Sequence, residues 1–495
     1  MSVTLGIDIG TFESKGVLVD GRGRVLAEAR RPHEMIVPRP GWAEHRAEED
    51  WWQGFVHLSQ ALLAESGIEP SEIACVAASA IGPCMLPVDA EGRPLMNAVL
   101  YGVDTRAGAE IEALNAEIGA ETIIERCGNA LTSQSVGPKI LWLKRQRPDI
   151  FARAAKIVTS TSYLTFRLTG AWAIDHYTAA NFAPLYDIAR QGWTAGLAPG
   201  LIDPAMLPRL MWSTEIAGRV TAGAARETGL AEGTPVTCGT IDAAAEAISV
   251  GLREAGDMML MYGSTVFIVT LTPERPRDAR LWTAPWLFPG EHAAMAGLAT
   301  SGTLTHWFRD RFARELPRGE AFAALAAEAA ATPKGARGLL CLPYFSGERT
   351  PLHDPKAKGA FFGLDLTHGR GDMFRAVLEG IAMATAHVTE TCAEAGAAPS
   401  RVLAVGGGTR NAVWMQATSD LTGLPQTVAE QTIGASYGDA FLAALAVGRA
   451  ERGDIARWNP PARQVRPEEV PAYARQYPLF RRLYTATREI AHALG

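Results

Sequence analysis

Residues 3–20 read VTLGIDIGTFESKGVLVD, and their pattern organises the whole chain. Val3, Leu5, Ile7 and Ile9 alternate with smaller or polar residues, and Val17, Leu18 and Val19 follow the turn residues. That predicts two strands joined by a tight Gly10-Thr11 turn. Asp8 falls at the end of the first strand, on the face opposite Ile7 and Ile9. Half a chain later, GDMMLMYGSTVFIVTL (256–271) repeats the design, an apolar strand on each side of Gly263-Ser264-Thr265. Two such hairpins at this separation predict a duplicated domain, with the boundary between Asp242 and Gly256 and placed at 246/247.

Between and beyond the hairpins, strand, glycine turn and helix alternate. RAVLEGIAMATAHVTETC (375–392) has apolar residues at helical spacing and is followed by the strand-like SRVLAVGGG and the helix-like AVWMQATSDLTG. The class predicted is α/β. TPERPRDARLWTAPWLFPG (272–290) and NPPARQVRPEEVP (459–471) read as connectors.

Composition narrows the function. A chain of 495 residues exceeds one core, so two large domains are expected. The net charge of −6 argues against a nucleic-acid partner held by phosphate neutralisation. The six cysteines are scattered without a C-x-x-C pair and read as buried free thiols of a reducing compartment. The first residues lack the pattern of a signal peptide, and no apolar run is long enough to span a membrane. A soluble cytoplasmic protein is the expectation.

Glycine turns leave backbone N–H groups pointing outward and let a ligand approach closely. Such concavities bind anions, phosphate above all. Gly10-Thr11, Gly263-Ser264-Thr265 and Gly406-Gly407-Gly408 are three candidates, each with a hydroxyl near the glycine. Neither G-x-x-x-x-G-K-[ST] nor G-x-G-x-x-G is present, since GGGTRN ends in Asn411. A nucleotide would therefore be held by hairpins.

Asp242, in VTCGTIDAAAEAISVG (236–251), is a lone carboxylate before a run of alanines. It has two readings. It caps the following helix, worth ~1 kcal/mol, or it accepts the proton of a substrate hydroxyl attacking phosphorus. Asp8 likewise is either a turn acceptor or a residue holding Mg²⁺, usually through water. The histidines form no ligand cluster, Ser346 in YFSGERTP is a turn residue outside any nucleophile elbow, and the tryptophans of GWAEHRAEEDWW (41–52) are packing anchors. Glu44 in that segment reads as a surface residue.

The motifs together resemble the FGGY carbohydrate kinases, and within them the xylulose kinases and close relatives. GIDIGTFESK (6–15), PGWAEHRAEEDWW (40–52), CGTIDAAAEAISVG (238–251), LPYFSGERTPLHDPKAKGAFFGL (342–364) and VLAVGGGTRNAVWMQATSDLTGLP (402–425) carry the resemblance, which spans nearly the whole chain. It implies two actin/hexokinase-like (ribonuclease H-like) domains around a central cleft, each a mixed five-stranded sheet flanked by helices. Residues 1–246 would bind the sugar and residues 247–495 the ATP. Closure would exclude water.

The resemblance implies Asp242 as catalytic base, and possession of the role would put base before cap. It also implies Asp8 near Mg²⁺ and Thr11 near the transferring phosphate. Ser264, with Gly263, would lie near the nucleotide phosphates and Gly302 beside the nucleotide. Gly407 and Asn411 would belong to the adenosine site.

Departures cluster where sugar should bind. The family's Met-His-Gly is here Gly82-Pro83-Cys84, its Asp-Asn is Asp242-Ala243, and its Trp-Asn-Asp segment is YGVDTR (101–106), leaving Asp104 and Arg106 as polar contacts. Pro83, Cys84, Asp104, Arg106 and Asp242 are thus the expected substrate wall. Each lost donor or acceptor leaves a sugar hydroxyl unpaired, at ~1–3 kcal/mol apiece. D-xylulose is the default substrate. A glycerol- or erythritol-type polyol kinase, and a nucleotide-binding sensor without transfer, are the alternatives. Many relatives are dimers, so a homodimer is a further expectation, with no interface stripe legible in the chain.

Overall fold

The computed structural model describes residues 3–494; Met1, Ser2 and Gly495 lie outside the described residues. The chain divides into two units, one of residues 1–253, 273–293 and 433–460, the other of 254–272, 294–432 and 461–495.

In the first unit, β1 (Val3–Ile9) and β2 (Glu13–Asp20) form the expected antiparallel hairpin, with Asp8 opposite Lys15 and Ile9 opposite Ser14. β3 (Val25–Pro32) extends it at one edge. On the other side β4 (Ile73–Ala80) runs parallel to β1, with Ser79 paired to Asp8. Beyond β4, antiparallel β5 (Ile216–Arg219) flanks β6 (Pro235–Thr237), which is parallel to β4. The short β7 (Thr240–Ile241) pairs with the end of β4 and delivers the chain to Asp242. Every residue of β1 is buried, because helices cover both faces of the sheet. On one side α1 (Gln53–Ser66) packs with Trp51, Trp52, Phe55, Leu58 and Leu62 into the core beneath Leu5, Ile7 and Ile9. α2 (Ser160–Thr169) adds Tyr163, Leu164 and Leu168 to that core. Against the sheet also pack α3 (Asp242–Ser249) and the sequence-distant α8 (Ala435–Ala446).

The second unit repeats the plan. β8 (Asp257–Tyr262) and β9 (Val266–Thr272) form the second hairpin, with Tyr262 opposite Val266. β10 (His292–Gly297) lies beyond β9. β11 (Arg401–Val405) runs parallel to β8, β12 (Gln426–Ala429) parallel to β11, and β13 (Pro461–Val465) antiparallel to β12. The order β2-β1-β4-β6-β5 therefore has the same sequence of strand directions as β9-β8-β11-β12-β13. That is the five-stranded mixed sheet expected twice over; short or edge strands raise each sheet to seven. The helices α4 (Gly302–Phe312), α5 (Ala321–Ala331), α6 (Arg370–Glu394), α7 (Ala412–Thr422) and α9 (Pro471–Ala493) complete this unit. The long α6 is buried along most of its length, as its apolar spacing requires.

Candidate active site

The carboxyl ends of the parallel strands are where α/β sheets present ligand-binding turns, and the candidate residues collect there in both units. In the first unit Asp8 is 8% exposed. The Ser79 hydroxyl lies 3.2 Å from Asp8 Oδ1 and 2.7 Å from Asp439 Oδ2, bridging the two carboxylates. The Ser79 amide also donates to Asp439 Oδ2. Asp439 Oδ1 is buried without a partner. Glu246, one turn beyond Asp242 on α3, shares its face.

Asp242 is the first helical residue of α3, and its Oδ1 accepts the Ala243 amide at 2.7 Å. The capping position is Ile241, which makes no side-chain cap bond. The expectation that Asp242 also caps the helix is therefore corrected. Its Oδ1 takes one first-turn amide from the N1 position, and the carboxylate remains at the head of the helix, where the dipole favours negative charge.

Four carboxyl groups in one place raise one another's affinity for protons. Burial, then the Asp242 charge, pushes Asp8 up to about 8. Burial, aided by Glu246 and opposed by the Ala243 N–H, pushes Asp242 up to about 7. Burial and Asp8 raise Glu246 to about 7, and burial drives Asp439 well above the usual carboxylate range. Asp242 is also sensed by the Cys84 thiol and the Tyr177 phenol, which marks them as its surroundings.

The Gly10-Thr11 turn is laced from one side. His33 and His45 reach its carbonyls through their Nε2 atoms, at 2.9 Å from Gly10 O and 3.1 Å from Thr11 O. Burial holds His33 below its ordinary value and His45 down at about 4, so both rings are neutral at neutral pH.

In the second unit a recess of about 590 Å³ is walled by Tyr262, Gly263, Ser264, Gly302, His306, Phe322, Phe374, Gly407, Asn411 and Trp414, among others. Gly263, Ser264, Gly302, Gly407 and Asn411, scattered between positions 263 and 411, thus line one cavity. Its size and mixed aromatic and polar lining suit a nucleotide. Asn411 caps α7, accepting the Trp414 amide on Oδ1. Gly302 starts α4 against the hairpin: a Cβ there would lie 2.3 Å from Gly263 O.

A model of the FGGY family of carbohydrate kinases matches the chain twice, its N-terminal domain over residues 3–249 and its C-terminal domain over residues 258–447. The chain belongs to the FGGY family of carbohydrate kinases. It is 30% identical to the xylulose kinase of Escherichia coli (strain K12), over 97% of this chain and 98% of the relative. It is 26% identical to the gluconokinase of Bacillus subtilis (strain 168), over 92% and 89% respectively. The crystal structure of xylulose kinase from Rhodospirillum rubrum superposes with a TM-score of 0.92 at 32% identity, over 99% of this chain and 100% of that one. Carbohydrate kinases of this family use ATP, and among the described residues no helix is long and apolar enough to cross a membrane.

Other expected residues of this kinase also lie in the first unit. Pro83 is buried, and the fully buried Cys84 directs its thiol at Ile81 O. Asp104, 0% exposed, accepts the Ala43 amide and the Arg106 guanidinium. Arg106, also enclosed, bonds Glu44 and stacks its guanidinium over Trp42 at 3.7 Å. Asp104 and Arg106 thus share an internal ion-pair network that props the Tyr101 segment, while Arg106 Nη1 is buried without a partner. Glu44, expected at the surface, is 7% exposed and accepts from Arg106 and Asn97; the correction follows from its place in a strand opposite Val99. Trp51 and Trp52 are buried anchors, Ser346 lies in a turn, and all six cysteines are buried and outside any disulfide.

Sequence reasoning missed Ser79, Glu246, Asp439, His33 and His45. Glu246 was legible, because it lies four residues after Asp242 in a helix. Asp439 was not, since 360 residues separate it from Ser79.

Proposed function

We propose that this kinase transfers the γ-phosphoryl group of ATP to a hydroxyl of a small sugar or polyol, with a ketopentose such as D-xylulose, giving the 5-phosphate, as the leading substrate. The observation that carries the reading is Asp242. It heads α3 with Oδ1 on the Ala243 amide and outside the capping position, and its proton affinity is raised to about 7 by burial. A base near the working pH is suited to take the proton of an attacking alcohol. The names of the relatives support xylulose over other sugars.

In this reading the sugar binds the first unit, walled by Pro83 and Cys84 and braced from behind by Asp104 and Arg106, while residues 247–495 supply most of the nucleotide site. Ser264 and Gly263 hold the phosphates, Gly302 borders them, and Gly407 and Asn411 flank the adenosine. Thr11 approaches the transferring phosphoryl group. Asp242 takes the hydroxyl proton as the oxygen attacks phosphorus and ADP leaves with the electrons of the broken P–O bond.

The donor set beside Asp242 fits Mg²⁺, which takes oxygen ligands, one or two carboxylates and several waters. Asp8 is such a carboxylate, and the unpartnered Asp439 Oδ1 shows acceptor capacity left over there. Among the described residues no three acidic, His or Cys side chains are grouped so as to hold a metal by themselves. When bound, the ion neutralises phosphate charge as the P–O bond breaks.

A polyol kinase is the second reading, favoured by the sugar wall itself. Cys84 turns its thiol to Ile81 O, and Ala243 has no polar side-chain atom, so few hydroxyls find side-chain partners there. A panel of ketoses, aldoses and polyols, read by ADP release with MgATP, separates the readings. Turnover confined to glycerol or erythritol would replace D-xylulose.

A further inference from the structure

The backbone of the first hairpin turn carries an arrangement that the proposed function does not use. Three successive carbonyls point to the same two histidine residues. Gly10 O lies 2.9 Å from His33 Nε2, Thr11 O lies 3.1 Å from His45 Nε2, and Phe12 O accepts the His33 backbone amide at 2.9 Å. A carbonyl accepts and cannot donate, so the His33 Nε2 carries the proton, and Ser14 Oγ, 3.3 Å away, donates to Nδ1. The Trp51 indole, a donor only, gives its N–H to His45 Nδ1 at 3.1 Å, which puts the His45 proton on Nε2. Both rings are therefore locked in one tautomer, and they pack edge to face at 5.2 Å.

A trans peptide holds its C=O and the next N–H antiparallel. Fixing the Gly10 and Thr11 carbonyls toward the histidines turns the Thr11 and Phe12 amides to the opposite side. Neither amide has an acceptor among the described residues. Two consecutive free N–H groups in a turn form an anion-binding concavity. The second hairpin is built alike with different parts. Gly263 O accepts the Gly302 amide, and Ser264 O accepts the Ser301 and Thr303 amides and the Thr303 hydroxyl at 3.0 Å. In each hairpin a second segment pulls consecutive carbonyls away from one side.

We propose that His33 and His45 are positioning residues for phosphoryl transfer, latching the Gly10 and Thr11 carbonyls so that the Thr11 and Phe12 amides face the transferring phosphoryl group. This rests on the kinase reading above and adds to it the donors that meet developing charge on phosphorus. The histidines touch neither substrate; they act through the turn.

The test is steady-state kinetics of the full chain with MgATP and whichever panel substrate it accepts, on His33→Ala/His45→Ala, His45→Gln and His45→Asn, with ADP affinity by calorimetry as the check on folding. Because removal of an oxyanion donor costs about 10²–10³-fold, the double alanine variant is expected to lose about 10²-fold in kcat, with sugar KM and ADP affinity within about threefold of wild type. Gln carries an N–H at the position of Nε2 and should recover most of the rate. Asn, which keeps an acceptor for Trp51 but is too short for Thr11, should not. A double variant with kcat within about threefold of wild type, a loss confined to sugar KM, or equal kcat in the Gln and Asn variants overturns the latch. Should the double variant fail to fold, the Gln–Asn pair decides alone. Asp242→Asn tests the kinase reading separately: normal turnover there removes the base and leaves the latch result standing.

Discussion

The residue on which most depends is Asp242, because one oxygen atom separates a base from an amide. Asp242→Asn preserves shape and the Ala243 contact, so the variant should fold, bind ADP as wild type does, and lose transfer by orders of magnitude; a turnover assay beside calorimetry checks both. The same carboxylate sets the pH dependence. Transfer needs its ionised form, so kcat/KM for the free enzyme should rise with pH toward about 7 and level off above. A profile flat from pH 5 to 9 would remove the base. Stability runs the other way. Asp8 and Asp242 titrate near 8 and 7 in the fold and near 4 in an unfolded chain, so between those values the folded state holds protons that the unfolded state has released. Stability must then fall as pH rises through that window. The Tm of the ligand-free protein should drop between pH 5 and 8, and drop less in Asp8→Asn.

At the scale of elements, glycines decide how closely the pieces that carry the site approach. Gly302 begins α4 where a Cβ would sit 2.3 Å from Gly263 O, whereas a Cβ at Gly407 meets nothing within 4 Å. Gly302→Ala should therefore push α4 off the hairpin, costing about 1–3 kcal/mol and raising the KM for ATP. Gly407→Ala should leave Tm unchanged and raise that KM only by narrowing the recess. Thermal melts and ATP titrations of the pair distinguish packing from occupancy. α8 is held to β4 by Asp439, which takes both the amide and the hydroxyl of Ser79. Asp439→Ala leaves that buried amide unpaired, at about 1–3 kcal/mol. Asp439→Asn keeps an acceptor for that amide and should avoid most of that loss, as denaturant unfolding would record.

Over the whole molecule, the scattered thiols read from the sequence are all enclosed. Burial pushes Cys75, Cys84 and Cys127 up to about 12 and holds Cys238 and Cys341 well above the ordinary thiol value. None should react with a thiol reagent in the native protein, and all six should react after unfolding. Rapid native labelling of even one would contradict the packing described for both units.

The chain by itself determined the two hairpins, the α/β class and the repeated sheet, because each rests on short-range alternation and on glycine at turns, and both are written in neighbouring residues. It also singled out Asp8 and Asp242, lone carboxylates among apolar residues. Tertiary structure alone decided what surrounds them. Ser79 meets Asp439 across 360 positions, Glu44 leaves the surface for a buried network with Arg106, and two histidines that form no motif converge on one turn. Burial and mutual charge, which move these groups' proton affinities, arise only when distant segments pack together, so no local pattern can hold them.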